Sequence, residues 1–294
     1  MRGGGSSAGS LATPEATRAL LRQFGIRPRK RLGQHFLVSA RALQTILRAA
    51  ALSPQDSVLE IGAGLGTLTA ALAERAGRVA AIEIDPHLLP ALQAGPGALP
   101  NVRVVAGDAL ELDLAALFTE PPDRPRKVVA NLPYNIAAAI LMRLLESSLR
   151  LSLIVVTVQR EVAERIAAAP GTRAYGRLSV AVQYYASPRI VSRIPRGAFI
   201  PPPEVESAIV EITPRRVPVV SVPDEGEFFR IVAAGFGYRR KILLNALAHG
   251  LDLTPAVTEA ACRTAGVDPR SRAEDLDLAA FAALSAALHP SLGG

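Results

Sequence analysis

Apolar residues recur with helical spacing near the start of the chain: across residues 14–24, Ala16, Leu20, Leu21 and Phe24 fall on one face, and Gly25 stops the run. A second amphipathic helix is predicted after Ser39, its N-cap, with Leu43, Ile46, Leu47 and Ala50 as its apolar face. The pattern then changes. Short Val- and Ile-rich runs at residues 57–61, 78–84, 102–105, 127–130 and 151–158 read as strands, and the segments between them at 65–76, 86–93, 112–118 and 136–146 carry helical spacing. Such alternation means an α/β fold: a doubly wound, mostly parallel sheet with helices on both faces. After a further helix at 160–169, residues 178–185, 189–194 and 208–212 read as more strands with Pro-rich connections, expected to add an antiparallel edge. Residues 214–223 read as a linker, and from Glu225 the β signal disappears in favour of helices at 228–236, 240–249, 254–264 and 274–288. The expected organisation is a disordered tail over 1–12, an α/β domain over 13–215 and a small all-helical domain over 216–294.

Composition adds a partner to this picture. The chain carries a formal charge of +7 with thirty Arg against three Lys. A GC-rich genome accounts for the Arg:Lys ratio but not for the excess of positive charge, which points to a polyanion. The Gly/Ser-rich start has no apolar core of a signal peptide, and no run of about eighteen apolar residues follows, so a soluble, cytoplasmic protein is expected. One cysteine, Cys262, excludes an intramolecular disulfide and fits a reducing compartment.

The ends of the predicted strands carry the chemistry. The first runs into Gly62-Ala63-Gly64-Leu65-Gly66-Thr67, where glycines allow a sharp turn and close approach of a ligand. Thr67 breaks the GxGxxG spacing, which disfavours a nicotinamide or flavin. The second ends Glu83-Ile84-Asp85-Pro86, about twenty residues on, where an acid can accept from two ribose hydroxyls. Asp85 before Pro86 has the signature of an N-cap, which leaves Glu83 for the ribose. Gly107-Asp108-Ala109 follows the third strand, and the fourth ends in Asn131-Leu132-Pro133-Tyr134. An Asn amide, an exposed carbonyl, a rigid Pro and an aromatic ring suit a flat base: two acceptors for its amino group and a face to stack on.

Gly62–Gly66, Glu83 and Asp108 resemble the cofactor motifs of class I S-adenosylmethionine methyltransferases, a Rossmann-like fold, and Asn131–Tyr134 resembles their amino-methylating motif. The segments Gly33-Gln34-His35-Phe36-Leu37, residues 129–135, Gln159-Arg160-Glu161-Val162-Ala163, residues 199–207 (FIPPPEVES), and Phe236 with Arg239, Arg240, Lys241, Leu244 and Asn245 resemble the ribosomal RNA adenine dimethyltransferases over residues 23–288. One departure is His35, where many members have Asn. The resemblance implies transfer of methyl from S-adenosylmethionine, twice each, to the N6 of two adjacent adenines near the 3′ end of small-subunit ribosomal RNA, in a precursor of the small subunit. It implies cofactor contacts from Gln34, His35, Leu37, Gly62, Gly64, Gly66, Glu83, Ile84, Asp108, Ala109 and Asn131. Asn131, Leu132, Pro133 and Tyr134 would hold the target base, with Phe199 as a second stacking face once the base is extruded. Arg27, Arg29, Lys30 and Arg31 beside that pocket, and Arg239, Arg240 and Lys241 in the helical domain, are expected to bind phosphates. His87, His249 and His289 show no metal or nucleophile pattern, and a monomer is the default. Two other readings stand beside this one: a large-subunit adenine methylase of the macrolide-resistance type, and a nucleic-acid-binding assembly factor that retains little catalysis.

Overall fold

The computed structural model describes residues 11–118, 124–238 and 241–292. The chain divides into two compact units, one taking in residues up to Ala163 together with Arg189–Pro214, the other Glu164–Pro188 and the chain from Arg215 onward.

The first unit is built on a seven-stranded sheet of order β4-β3-β2-β5-β6-β9-β7. Its strands are β2 (Ser57–Ile61), β3 (Arg78–Glu83), β4 (Val102–Ala106), β5 (Arg126–Asn131), β6 (Leu151–Gln159), β7 (Ala186–Ile194) and β9 (Ser207–Pro214). Pairs β2–β3, β3–β4, β2–β5 and β5–β6 are parallel, and β9 runs antiparallel to β6. Continuous apolar runs suit the centre of such a sheet because helices cover both faces: every residue of β2 is buried. Helices α2 (Ala40–Ala50) and α3 (Thr67–Ala73) pack Leu43, Ile46, Leu47, Leu68 and Ala71 against Val58, Val129, Val155 and Ile209. Ser39 caps α2, accepting from the Ala42 N–H at 3.3 Å. An entry helix, α1 (Pro14–Gln23), and a separate two-stranded ribbon, β1 (Phe36–Leu37) with β8 (Phe199–Ile200), complete this side. Strand order reverses at β2, flanked by β3 on one side and β5 on the other, and in such sheets the crevice beyond the carboxyl ends at that point holds the ligand.

Several predicted elements come out differently. Residues 86–93 form a turn and then α4 (Leu89–Ala94), and residues 112–118 form only a short 3-10 turn at Ala115–Leu117. Between β5 and β6 lies α5 (Ala137–Glu146), and α6 (Arg160–Ile166) is shorter than expected. The predicted strand at 178–185 is a helix, α7 (Arg177–Tyr185). Alternating Val180, Val182 and Tyr184 imitate a period of two, but Val180 and Tyr184 are also one helical turn apart and enter a core with Phe228, Ile231, Leu243 and Phe281. That core belongs to the second unit, with α8 (Glu225–Gly237), α9 (Leu243–Gly250), α10 (Pro255–Thr264) and α11 (Leu278–Leu292). An expected boundary near residue 215 therefore falls between Pro214 and Arg215, but the helical unit also recruits Glu164–Pro188. Among the described residues no helix is long and apolar enough to cross a membrane.

Candidate active site

Three strand ends meet at the switch point. Past β2, Gly62, Gly64 and Gly66 adopt φ of 77°, 61° and 84°, a region open to glycine and strained for other residues. Gly64 also has little room: a Cβ there would stand 3.3 Å from the Phe36 ring. Past β3, the Glu83 carboxylate is fixed by backbone, Oε2 accepting from the Gly64 N–H at 2.7 Å and Oε1 from the Asp85 N–H at 2.8 Å. Burial raises its pKa against the pull of those bonds. Glu83, Gly62–Leu65, the segment Leu32–Leu37, Asn131 and Pro133 line one solvent-open cleft. Ile84, 45% exposed, lines it as an apolar plate.

The end of β5 carries the polar geometry. The Asn131 side-chain NH2 donates to the His35 carbonyl at 3.0 Å. Only that end of the amide can donate, so the bond fixes which end points onward. The Asn131 Oδ1 is buried without a partner. Beside it in the ladder stands Thr157, whose Oγ1 is likewise buried and unpaired, and whose carbonyl receives the Leu132 N–H at 3.2 Å. The Tyr134 ring stacks on His35, centroids 5.4 Å apart and planes 24° apart, and its hydroxyl bonds Ser207 Oγ at 2.5 Å. Burial raises the Tyr134 pKa, with the Ser207 bond acting the other way. His35 in turn donates from Nδ1 to the Pro201 carbonyl at 2.7 Å, since a carbonyl can only accept. Its backbone thus holds the amide and its ring backs the aromatic plate.

Sequence reasoning missed Glu60. This acid near the end of β2 is 1% exposed, lines the cleft and leaves Oε2 unpaired. Burial pushes its pKa up to about 8, the Thr69 hydroxyl opposing and Glu83 adding to the rise. A lone carboxylate inside an apolar strand was the available signal. Nothing in the sequence marked Ser207 as the partner of the Tyr134 hydroxyl.

Comparison with known proteins gives the family. The sequence model of the ribosomal RNA adenine dimethylase family matches residues 25–289. The chain belongs to this family. A small-subunit ribosomal RNA methyltransferase A from Moorella thermoacetica is 48% identical, over 95% of this chain and 99% of its own. Among solved structures, a dimethyladenosine transferase from Plasmodium falciparum superposes with a TM-score of 0.71 at 25% identity, covering 87% of this chain and 98% of its own. The 23S rRNA methyltransferase ErmE gives 0.66 at 28% identity over 86% and 99%. The protein is therefore an rRNA adenine dimethyltransferase on a class I methyltransferase fold, and S-adenosylmethionine is its cofactor. The residues present fit that cofactor. A glycine cradle admits close approach, a fixed carboxylate faces the cleft, Ile84 offers an apolar plate, and two buried oxygens lack partners.

Gly66 heads α3, where a Cβ would come 2.7 Å from Pro96, and it does not line the cleft. Asp108 follows β4 beside the Glu83 strand end, where the Gly107 N–H donates to the Glu83 carbonyl at 3.1 Å; its Oδ1 accepts from the Leu110 N–H at 2.8 Å, and buried Ala109 gives its carbonyl to Arg143 Nη1 at 2.6 Å. Phe199 is corrected from a stacking face to a core residue. It is 2% exposed, because pairing opposite Leu37 in the β1–β8 ribbon turns it into the apolar cluster with Ile194 and Ala198. Arg29 is not a free phosphate ligand, since its Nη1 lies 3.3 Å from Asp85 Oδ1 and its Nη2 2.9 Å from the His87 ring. Asp85 caps the turn before α4, accepting the His87 N–H at 3.0 Å, and is not the helix N-cap. Arg27, Lys30 and Arg31 are exposed. Arg239 and Arg240 lie outside the described residues, and the Lys241 ammonium stands 4.8 Å above the Tyr238 ring.

Proposed function

We propose that this enzyme dimethylates the N6 amines of two adjacent adenines near the 3′ end of small-subunit ribosomal RNA, acting as a cytoplasmic monomer on a precursor of the small subunit, and that Asn131 is the residue on which the chemistry turns. The unpaired, buried Oδ1 of Asn131 carries the reading. An acceptor denied water is costly unless a ligand meets it, and the family's substrate presents an exocyclic amine.

The adenine amine is a weak nucleophile because its lone pair is delocalised into the ring. Asn131 Oδ1 and the Leu132 carbonyl would accept its two hydrogens, favour a tetrahedral nitrogen and direct the lone pair into the cleft. S-adenosylmethionine, when bound, supplies an electrophilic methyl on a sulfonium. Glu83 would accept from the ribose, Ile84 would lie against the adenine, and the Gly62–Gly64 backbone would approach the remainder. Positioning and electrostatics of this kind supply several kcal/mol without proton transfer. No general base is needed, because the proton leaves after the cationic product forms. Tyr134 is not one: burial keeps its phenol protonated near neutrality, so its part is to stack. With His35 behind it and Ser207 holding its hydroxyl, the ring is a preset plate for an extruded base.

A large-subunit target is the competing reading, given the likeness to ErmE. Support for the small subunit comes from relatives of that name at 48% and 45% identity over nearly the whole chain. Labelled S-adenosylmethionine incubated with undermethylated small subunits, large subunits and naked RNA should mark two adjacent adenines in small-subunit RNA. Label confined to large-subunit RNA would sink the assignment.

A further inference from the structure

Asp85 is 1% exposed at the end of β3, yet the chemistry above gives it no task. Its Oδ2 accepts from Gln34 Nε2 at 2.7 Å, and its Oδ1 lies 3.3 Å from Arg29 Nη1 and 3.1 Å from the His87 ring nitrogen Nδ1, besides receiving the His87 N–H. Burial alone would raise its pKa. The His87 N–H, the Gln34 amide, the His87 ring and the Arg29 guanidinium together hold it below the usual carboxylate range, so a fixed negative charge sits here. Arg29 and Gln34 also bond each other, the Arg29 N–H donating to Gln34 Oε1 at 2.8 Å around the Lys30–Leu32 turn and Gly33. A closed loop thus grips both oxygens of one buried carboxylate. The next residues of that loop, Leu32–Leu37, are a wall of the cleft. At its other side Asp85 donates its own N–H to Glu83 Oε1 at 2.8 Å, so the loop is tied to the strand end that bears the ribose acid.

We propose that Asp85 is a positioning residue: its carboxylate latches the 29–34 loop, whose Leu32–Gln34 line the cofactor cleft, and so sets how long S-adenosylmethionine, and the S-adenosylhomocysteine left after transfer, stay bound. The proposal rests on the assignment of this cleft to the cofactor. Releasing the latch frees Leu32–Gln34 at the Glu83 end, while the pairing of Phe36 with Ile200 keeps the far end in place.

The test uses the whole protein and labelled S-adenosylhomocysteine chased with unlabelled excess. Asp85→Asn keeps the shape and withdraws the charge; Arg29→Gln removes the guanidinium. Asp85→Asn should release the label about tenfold faster, the scale of one charge-assisted hydrogen bond, Arg29→Gln should do so less, because the Gln34 bond to Oδ2 remains, and the double variant should be no faster than Asp85→Asn, because both act on one latch. Amide hydrogen exchange should quicken over residues 32–37 while β2 and β5 stay protected. Unchanged release in Asp85→Asn, strictly multiplicative effects of the two substitutions, or exchange that quickens through the whole sheet would each overturn the latch. Failure of the cleft assignment looks different: wild-type protein would not retain S-adenosylhomocysteine, or Glu83→Gln would bind it as tightly as wild type.

Discussion

At the scale of single residues, the site depends on which side chains are already bonded and which are left wanting. Tyr134 is held by Ser207 and backed by His35. Tyr134→Phe keeps the plate and loses the anchor, so single-turnover methyl transfer should fall only several-fold, the scale of one net hydrogen bond. Ser207→Ala should fall equally, and the double variant no further; additive losses would show that Ser207 acts elsewhere. Glu60 gives a pH prediction. Its folded-state value of about 8 exceeds the ordinary 4.5, so the folded state holds a proton that the unfolded chain has given up. Stability from this group is full below about 4.5 and lost as pH rises through about 8. Glu60→Gln should therefore gain melting temperature relative to wild type at pH 8 and lose that advantage near pH 4.5; a gap independent of pH contradicts the buried, neutral acid. That Asn131, Pro133, Glu83, Gly62 and Gly64 meet at one cleft was legible, because strand-end position and residue chemistry coincide. Ser207 and the Arg29–Asp85 pair were not, because each partner lies far away in sequence; Glu60 was marked only as a lone carboxylate inside an apolar strand.

At the scale of elements, the alternation of Val and Ile runs with helical segments gave the central parallel strands nearly to the residue. It failed at α7, where a two-residue alternation over Val180, Val182 and Tyr184 coincides with positions one helical turn apart. What decides is tertiary: the Ser179 hydroxyl, buried in the first turn, donates to the Arg165 carbonyl at 2.5 Å and accepts the Gly176 N–H at 3.0 Å. Ser179→Ala should leave both unmet and cost about 1–3 kcal/mol in urea denaturation. A neutral substitution would mean that these bonds do not secure the start of the helix. Phe199 failed in the opposite sense: its motif suggested an exposed ring, and the two-residue pairing of β8 with β1 turned it inward.

At the scale of the whole molecule, the +7 charge and the exposed Arg27, Lys30 and Arg31 ahead of the cleft favour a polyanionic substrate. Replacing Lys30 and Arg31 together by Ala should weaken rRNA binding across sequences and lower the slope of log affinity against log salt by about 1–2. An unchanged slope would place the phosphate contacts elsewhere. The split into two units was only partly legible, because the segment Glu164–Pro188 joins the helical unit from within the α/β half of the sequence.

Asn131 is the residue on which methyl transfer turns. Single-turnover methyl transfer by Asn131→Ala, measured beside RNA affinity on undermethylated small subunits, is predicted to drop by about 10²–10³-fold while RNA binding stays within about twofold. Near-normal turnover would contradict the assignment of its unpaired Oδ1 to the target amine.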